Sequence, residues 1–318
     1  MPPTLDTITD LYQQPLADLI LQAQAALRQY HDPRQVQLCT LGNIKTGGCP
    51  EDCGYCAQSV HHATALKPEP LMAVSDVVAA AQAAQAAGAT RFCMGAAWRE
   101  VKDGPQFERV LEMVSQVAAL GVEVCCTLGM LQPHQAQRLK AAGLTAYNHN
   151  LDTSPEYYGE VIQTRAYADR LETLATVAEA GLSVCCGGIV GMGETVADRL
   201  RLLEVLGQLP TPPESIPVNC LVPIAGTPLA GAEPIPPLEL IRLIATTRIL
   251  FPRARVRLAA GRLQMSPELQ ALCFLAGANS IFAGSKLLTT PNPDQDEDLA
   301  LLMALGLTPR PAAVAPTV

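Results

Sequence analysis

One pattern of apolar and polar positions recurs along the chain: an amphipathic stretch rich in Ala and Leu, then a glycine, then a short run of β-prone residues. The pattern occurs at 77–95, 113–129, 136–152, 174–191 and 269–284. The glycine stands where the end of a helix needs a residue that tolerates positive φ. Helices that alternate with short strands over short links predict parallel strands joined by helical crossovers.

Eight segments have the composition of strands in such units. They lie at 36–43, 90–96, 122–128, 145–151, 182–190, 215–222, 254–260 and 279–284. Eight units over roughly 250 residues fit a closed (β/α)8 barrel, an α/β fold of the TIM type whose active site lies at the C-terminal ends of the strands. An open doubly wound sheet has the same alternation, so the count alone leaves both architectures open.

The chain has no segment that resembles a linker between domains, and its 318 residues suffice for one large domain. We predict an N-terminal helical extension at 1–34, a single barrel domain at 35–308 and a loosely ordered C-terminal tail at 309–318. The first 30 residues have the pattern of a helix or a pair of helices. The ends of a domain are the parts that most often lack order.

Alternation within the predicted strands indicates which side chains point into the barrel. One face of each strand must be apolar to meet the helices, so the other face points into the lumen. In VEVCCT, Val124 and Cys126 face the helices, whereas Glu123 and Cys125 point inward. The same rule sends further side chains inward: Arg91, Cys93, Thr127, Asn148, Asn150, Ser183, Cys185, Asn219, Arg255 and Arg257. A lumen this polar is typical of a site rather than of a packed core.

Composition then excludes several classes of function. Charged residues make up 16% of the chain and hydrophobic residues 49%, which is typical of a chain with a large core and not of a disordered one. A net charge of −8 without a Lys/Arg cluster argues against nucleic acid or an anionic membrane as a partner. The chain starts without a secretory signal pattern and has no apolar run of roughly 18 residues. We therefore expect a cytoplasmic protein whose eleven cysteines are reduced and serve metal or redox chemistry.

The sharpest chemical signal is TGGCPEDCGYCAQS, in which Cys49, Cys53 and Cys56 have the spacing CxxxCxxC just after the first predicted strand. Three thiolates can hold three irons of a 4Fe-4S cluster and leave the fourth iron open for another ligand. A structural zinc site would need a fourth protein ligand, which His61 or His62 could supply. The spacing favours the cluster and leaves the zinc site open.

The form CxxxCxYC in the first loop of such a barrel resembles the radical S-adenosylmethionine superfamily, and GGIVGMGE at 187–194 is similar to its GxIxGxxE strand. Further blocks resemble the biotin synthase family in order, from about residue 35 to 295: TRFCMGAAWR, CCTLG, YNHNLDTSPE, LPTPPES, VRLAAGR and AGANSIFAGSKLLTTPNP. The activity that this resemblance implies is the insertion of sulfur into dethiobiotin by a radical made from S-adenosylmethionine.

The resemblance also implies the ligands of two clusters. These are Cys49, Cys53 and Cys56 for a 4Fe-4S cluster, and Cys93, Cys125, Cys185 and Arg257 for a 2Fe-2S cluster that donates the sulfur. The alternation rule independently sends the second set inward. A guanidinium is a poor ligand because its pKa lies above about 12. An iron that is bound weakly at one position suits a cluster that is consumed as a sulfur donor. The alternative for Arg257 is an ion pair with a carboxylate such as Glu123.

Further residues are implied to bind the two small molecules. Tyr55, Asn150, Asp152 and Arg170 would bind S-adenosylmethionine, Asn150 and Asp152 through its ribose hydroxyls and Arg170 through its carboxylate. Asn148 and Asn219 would hold the ureido ring of dethiobiotin, and Thr289 and Thr290 would lie near its carboxylate at the mouth. The alternative for each asparagine is a turn or cap residue with no ligand.

The resemblance further implies an external electron donor of the flavodoxin or ferredoxin type and a homodimer. Two rival functions stay open at this point. One is a sibling radical enzyme, similar to methylornithine synthase or a hydrogenase maturase, and the other is a non-enzymatic iron–sulfur carrier.

The remaining cysteines have simpler interpretations. Cys39 shares the inward direction, so it either packs in the lumen or competes for iron. The others are expected to be small buried hydrophobic residues: Cys126, Cys186, Cys220 and Cys273. His149 falls on the outward face of its strand, so we expect no acid–base role for it.

Overall fold

The computed structural model describes residues 3–311 of the chain. The helices lie at Leu5–Gln13 (α1), Leu16–Tyr30 (α2), Val74–Ala86 (α3), Pro105–Ala118 (α4), Pro133–Ala141 (α5), Tyr158–Val161 (α6), Tyr167–Glu179 (α7), Val196–Gln208 (α8), Pro237–Leu250 (α9), Pro267–Leu275 (α10) and Gln295–Ala304 (α11). The strands lie at Gln35–Lys45 (β1), Arg91–Ala96 (β2), Glu123–Thr127 (β3), Ala146–Asn148 (β4), Ser183–Cys185 (β5), Gly188–Val190 (β6), Ser215–Cys220 (β7), Arg255–Leu258 (β8), Ser280–Phe282 (β9), Lys286–Leu287 (β10), Thr290–Pro291 (β11) and Thr308–Pro309 (β12).

The main sheet is parallel and closes on itself. Its order is β1-β2-β3-β4-β5-β7-β8-β9, with β6 beside β7. It closes because β9 pairs with β1, so that Ser280 lies opposite Gln37 and Phe282 opposite Cys39. This closure confirms the predicted (β/α)8 barrel and excludes the open doubly wound sheet. The C-terminal ends of the strands meet at one mouth, which is where a barrel of this kind carries its site.

The predicted strand at 182–190 is interrupted and forms β5 and β6. Gly187, between the two strands, lies opposite Pro217 of β7, which has no N–H to donate to the ladder. A Cβ at Gly187 would lie 2.0 Å from the Pro217 carbonyl oxygen, so this close approach requires glycine. The prediction was right about the position of the strand and wrong about its continuity.

Helix α4 shows how the recurring pattern forms each unit. Its buried residues Phe107, Val110, Val114 and Val117 are spaced three or four apart, so they form one apolar face against the sheet. Gly121 follows the helix with a φ of 82° and turns the chain toward β3.

Both ends of the described chain pack against the barrel. Helices α1 and α2 form a pair that contacts α8 and α9. Arg242 of α9 donates to the backbone oxygens of Tyr12 and Gln14 at 2.9 and 2.7 Å. At the other end, Pro309 of β12 lies opposite Val36 of β1. Residues just after Leu307 are therefore held in place, and 312–318 of the predicted tail lie outside the described residues.

Buried side chains form two separate layers on either side of the sheet. Val124, Cys126 and Cys186 belong to the large core between strands and helices. A smaller cluster fills the lumen: Cys39, Cys93, Cys125, Ala146, Cys185, Ala259, Phe282 and Leu287. The lumen and helix sides predicted for these cysteines from strand alternation are therefore correct.

Candidate active site

A cavity of about 330 Å³ opens at the C-terminal ends of the barrel strands. Its wall contains every residue that the sequence suggested for the site: Cys49, Cys53, Tyr55, Cys56, Cys93, Cys125, Asn148, Asn150, Asp152, Arg170, Cys185, Asn219, Arg257, Thr289 and Thr290. The fold thus brings together, around one space, side chains from nearly the whole length of the chain.

The loop after β1 holds the first three cysteines in a tight backbone arrangement. Gly47 turns the chain with a φ of 65°, in the left-handed region that favours glycine. The Cys49 N–H donates to the Gln58 carbonyl at 2.9 Å, and the Cys56 N–H donates to the Cys53 carbonyl at 2.9 Å. These backbone hydrogen bonds keep the three thiols on one compact turn.

A buried carboxylate ties this loop to the segment between α6 and α7. Glu51 is only 3% exposed and accepts hydrogen bonds from Arg99 Nη1 at 2.7 Å and Arg165 Nη2 at 3.1 Å. The Thr164 hydroxyl also donates to Glu51 through a short contact. Because a buried charge is costly unless it is paired and hydrogen-bonded, this group of side chains fixes the loop in place.

Asp52 adds a second attachment at the same place. Its Oδ1 accepts from the backbone N–H groups of Gln163 and Thr164 at 3.0 and 3.1 Å. Burial works against the charge of Asp52, but these hydrogen bonds outweigh it and lower the pKa of the carboxyl below its usual value. The carboxylate form therefore holds the loop at neutral pH.

The loop thiols are suited to a metal group that supplies positive charge. Burial raises the pKa of Cys53 to about 12 and the pKa of Cys56 to about 11. Thiols in such surroundings become thiolates only when a cation binds them. Their donor chemistry therefore fits iron.

A single zinc ion is a poorer fit to the same loop. Within residues 3–311, no three His, Cys, Asp or Glu side chains converge as ligands of one metal ion would. The His61 ring contacts the Pro50 carbonyl at 3.1 Å, and the His62 ring contacts the Cys53 carbonyl at 3.0 Å. A cluster that takes one thiolate per iron suits this spacing better than a closed tetrahedral site.

Four polar side chains form a connected group beside the loop. The Tyr55 hydroxyl donates to Asp152 Oδ2 at 2.8 Å, and Arg170 Nη2 lies 2.7 Å from the same oxygen. Arg170 also donates to the Tyr158 hydroxyl at 2.7 Å and to the Asn150 carbonyl at 2.5 Å. One nitrogen of the Arg170 guanidinium therefore contacts Asp152, and two of its five N–H groups remain for a ligand.

The two asparagines suggested for substrate binding have partners within the protein. Asn148 Nδ2 donates to Asn150 Oδ1 at 3.0 Å. Asn219 Nδ2 donates to the Gly188 carbonyl at 3.0 Å, and its Oδ1 accepts from the Ala260 N–H at 3.3 Å. Asn219 keeps one N–H and one oxygen lone pair beyond these bonds, which a ligand in the cavity could use.

The lumen part of the cavity wall contains three buried thiols of one side-chain cluster. Cys125 belongs to this cluster together with Cys93 and Cys185. The contact with Cys125, together with burial, raises the pKa of the Cys185 thiol. The three side chains thus lie together in the lumen.

Arg257 lies beside these thiols and is fully buried. Its Nε donates to Ser280 Oγ at 2.9 Å, and its Nη1 lies 3.9 Å from Cys185 Sγ. Its guanidinium carbon lies 4.9 Å from the centre of the Phe282 ring. The buried Nη2 has no hydrogen-bond partner among the described residues. This buried N–H is therefore free to donate to a ligand.

The alternative of an ion pair between Arg257 and Glu123 is wrong. Glu123 pairs with Arg91 instead, at 2.8 Å from Arg91 Nε, and Arg91 Nη2 reaches Glu214 at 3.0 Å. The buried Nη1 of Arg91 has no partner in the part of the chain that is described. Both carboxylates at the base of the lumen are therefore engaged by Arg91, and Arg257 faces the thiols.

The β10–β11 hairpin forms one side of the mouth. Leu288, between the two strands, has a φ of 44°. A Cβ at Gly95 of β2 would lie 2.6 Å from Leu288 Cδ2, so the hairpin packs where β2 has no side chain. This contact brings Thr289 and Thr290 to the cavity wall.

Two family models match the chain. The model of the Radical SAM superfamily matches residues 43–206, and the model of the Biotin and Thiamin Synthesis associated domain matches residues 217–308. The biotin synthase of Gloeobacter violaceus is 67% identical over 310 residues, which are 98% of this chain and 98% of that protein. The chain belongs to the biotin synthase family. This membership confirms the resemblance, the enzyme class and the predicted cofactors, which are a 4Fe-4S cluster, a 2Fe-2S cluster and S-adenosylmethionine.

Other biotin synthases agree over the same length. That of Acidithiobacillus ferrooxidans is 60% identical and covers 96% of both chains. That of Myxococcus xanthus is 58% identical and covers 96% of this chain and 88% of its own. The similarity therefore extends over the barrel and both of its ends.

Solved structures share the fold at much lower sequence identity. A methylornithine synthase has a TM-score of 0.79 at 18% identity, over 96% of this chain and 94% of its own. The FeFe-hydrogenase maturase of Carboxydothermus hydrogenoformans has a TM-score of 0.78 at 16% identity, over 96% and 76%. These likenesses show the barrel alone, so the sibling enzymes considered as rivals share the architecture of the biotin synthase family.

The sequence analysis missed residues that support the site from behind. Glu51 and Asp52 stand inside the cysteine motif itself, and this acidic pair was the available signal. His149, expected on the outward face, stacks on Tyr147 with ring centroids 6.5 Å apart and also adjoins the cavity. Burial holds its pKa well below the usual value, so the ring is neutral.

Among the described helices, none is long and apolar enough to cross a bilayer.

Proposed function

We propose that this member of the biotin synthase family converts dethiobiotin to biotin, and that the cavity at the strand ends holds both clusters and both small molecules. The observation that carries the proposal is that the wall of one cavity contains the loop thiols, the lumen thiols and the polar side chains. When bound, the cofactors would supply a radical, which comes from the reductive cleavage of S-adenosylmethionine, and a sulfide for transfer. The chain binds and orients the reactants and excludes water from them.

Cys49, Cys53 and Cys56 are proposed to hold the 4Fe-4S cluster. Three thiols on one turn leave one iron without a protein ligand, which is where an amino acid cofactor can bind. The attachment of Glu51 to Arg165 supports this role, because it keeps the turn rigid behind the thiols. A rigid turn holds the open iron at a constant position relative to the rest of the cavity.

Tyr55, Asn150, Asp152 and Arg170 are proposed to bind S-adenosylmethionine. Asp152 Oδ2 is an acceptor already oriented by Tyr55 and Arg170, so it suits the ribose hydroxyl groups. The remaining N–H groups of Arg170 suit the carboxylate of the cofactor. The four side chains are connected before any ligand arrives, which lowers the entropic cost of binding.

Cys93, Cys125, Cys185 and Arg257 are proposed to hold the 2Fe-2S cluster. The support comes from the common lumen cluster of the three thiols and from Arg257 Nη2, which has no partner among the described residues. The carboxylates nearby are engaged by Arg91, so they do not compete for this place. A guanidine nitrogen is a weak ligand, so the iron that it would hold could dissociate when sulfur is removed.

Asn148 and Asn219 are proposed to hold the ureido ring of dethiobiotin, and Thr289 and Thr290 its carboxylate. A carboxamide can both donate and accept, as a ureido group requires. Two amides near the middle and two hydroxyls at the mouth would fix the ends of an elongated substrate. Its unactivated C–H bonds would then lie in a fixed orientation between the clusters.

The remaining proposals concern the surroundings of the enzyme. We infer an external flavodoxin-like or ferredoxin-like electron donor and a homodimer, as the family resemblance implies. We also infer a cytoplasmic location. The eleven cysteines are all free thiols in the structure, which suits a reducing compartment.

Anaerobic reconstitution with iron and sulfide tests the proposed function. We expect both clusters to form, and deoxyadenosine release to increase with dethiobiotin and to accompany biotin formation. A sibling radical enzyme would release deoxyadenosine without any response to dethiobiotin and would form no biotin. An iron–sulfur carrier would bind clusters and release no deoxyadenosine. Either of the last two results would overturn the proposal.

A further inference from the structure

A fourth thiol lies in the lumen beside the three discussed above. Cys39 of β1 is fully buried and belongs to the same group of lumen side chains as Cys93, Cys125 and Cys185. It enters the lumen because β1 closes the barrel between β2 and β9. The chain therefore presents four thiols, and not three, in its lumen.

Cys39 is linked to Arg257 through one hydroxyl group. Ser280 Oγ lies 3.7 Å from Cys39 Sγ and accepts the hydrogen bond of Arg257 Nε at 2.9 Å. The Ser280 hydroxyl therefore lies between the Cys39 sulfur and the Arg257 guanidinium, within reach of both.

Two buried N–H groups indicate that an anionic group fits at this place. Arg257 Nη2 and Arg91 Nη1 both lack hydrogen-bond partners among residues 3–311. Buried donors without a partner are costly, so these groups mark the surroundings of a ligand.

We propose that Cys39 exchanges with Arg257 as the fourth ligand of the lumen cluster. The proposal rests on the proposed function, because it requires the 2Fe-2S cluster. Such a cluster needs four protein ligands, and a thiolate binds iron far better than a guanidine nitrogen. In the exchange, an Fe–S bond to Cys39 replaces the Fe–N bond to Arg257. The thiol proton passes to the released nitrogen, and no electron is transferred.

This exchange would give one iron of the cluster two alternative protein ligands, which hold it with different strengths. With Arg257 as ligand, this iron would be held weakly and lost easily. With Cys39 as ligand, all four protein ligands are thiolates, and iron stays in the lumen. After exchange, Arg257 is again a cation and lies beside the new thiolate.

Four proteins test the proposal: the unmodified chain, Arg257→Met, Cys39→Ser and the double variant. Each is reconstituted anaerobically, and iron, sulfide, visible absorption and Mössbauer spectra are measured without turnover. Methionine has no side-chain nitrogen, and its neutral thioether binds iron far more weakly than a thiolate, so Cys39 is then the strongest candidate for the fourth position. We expect Arg257→Met to keep the second cluster with a spectrum shifted toward four-thiolate ligation, and the double variant to lose it.

The controls separate the possible failures. Cys126→Ser, in the helix-facing layer, should combine with Arg257→Met without loss of the second cluster. Equal loss in Arg257→Met and in the double variant would overturn the proposal, as would equal retention in both. If the unmodified chain forms only one cluster, the proposed function itself fails.

A second measurement applies if Arg257→Met does not fold. Loss of iron to a chelator is then compared between the unmodified chain and Cys39→Ser, with the 4Fe-4S signal as the reference. We expect iron to leave the second cluster several-fold faster from Cys39→Ser. Equal rates would overturn the proposal.

Discussion

Cys185 and Cys186 are neighbours in the chain, but Cys185 contacts the lumen thiols while Cys186 packs in the core between strands and helices. Cys125 and Cys126 have the same relationship one strand pair away. Successive residues of a strand point to opposite faces, so each pair divides its two thiols between two environments. Chemically identical side chains at adjacent positions are thus expected to have different roles.

We expect Cys125→Ala to abolish the visible absorption of the second cluster, and Cys126→Ala to leave it unchanged. The first variant removes a proposed ligand, whereas the second removes one small group from the core. The cost of the second is on the order of 1 kcal/mol in the free energy of unfolding. Absorption spectra after reconstitution and thermal unfolding measure the two effects. Equal loss of absorption in both variants would contradict the assignment.

Glu51→Gln is expected to weaken the cysteine loop without removing a thiol. The substitution leaves the buried Arg165 guanidinium without its charged partner. Breaking a buried pair in this way costs about 3–5 kcal/mol. We expect a lower melting temperature and partial occupancy of the 4Fe-4S cluster by iron analysis. Cys53→Ala is the comparison, and it should bring deoxyadenosine release to zero. A normal content of both clusters in Glu51→Gln would show that Glu51 is not needed to hold the cysteine loop.

Asn219→Ala and Asp152→Ala are expected to affect different ligands. Loss of the Asn219 amide leaves ureido groups unpaired, at a cost of about 1–3 kcal/mol in dethiobiotin binding. Asp152→Ala acts on S-adenosylmethionine, so cofactor binding should weaken more than substrate binding. Equilibrium binding of each ligand to each reconstituted variant measures the difference. Equal losses for both ligands would mean that the substitutions damage the fold.

His31 makes the stability of the protein depend on pH. Burial, together with the charges of Arg255 and Arg248, lowers the pKa of His31 from 6.5 to about 4. The unfolded chain therefore binds a proton that the folded chain does not, and His31 reduces stability as the pH falls from about 6.5 to about 4. We expect His31→Gln to flatten this slope in denaturant titrations. The exposed His134→Gln serves as the control, and an unchanged slope in His31→Gln would contradict the prediction.

Strand alternation predicted the lumen from sequence because it depends only on the two-residue period of a strand. It placed Cys93 and Arg257 correctly without any knowledge of the distant strands that they meet. The partners of Arg91 were not predictable in this way. Glu123 and Glu214 approach it from different strand units, and only the closed barrel brings both to one side chain.

Local geometry explains the other differences between expectation and structure. The break between β5 and β6 comes from Pro217 on a neighbouring strand, so the segment 182–190 itself carries no sign of it. The protein partners of Arg170, which are Asp152 and Tyr158, lie on other segments, so the sequence around Arg170 does not indicate them. Features that depend on a single element were predictable, and features that depend on two distant elements required the fold.

The pairing of β1 with β9 has a consequence for synthesis on the ribosome. The lumen face of β1 and the thiols of Cys93, Cys125 and Cys185 are translated long before Ser280–Phe282. Until that last strand emerges, the nascent chain is an open sheet with an unpaired strand edge and accessible thiols. These thiols therefore stay open to oxidation until β9 has been synthesised.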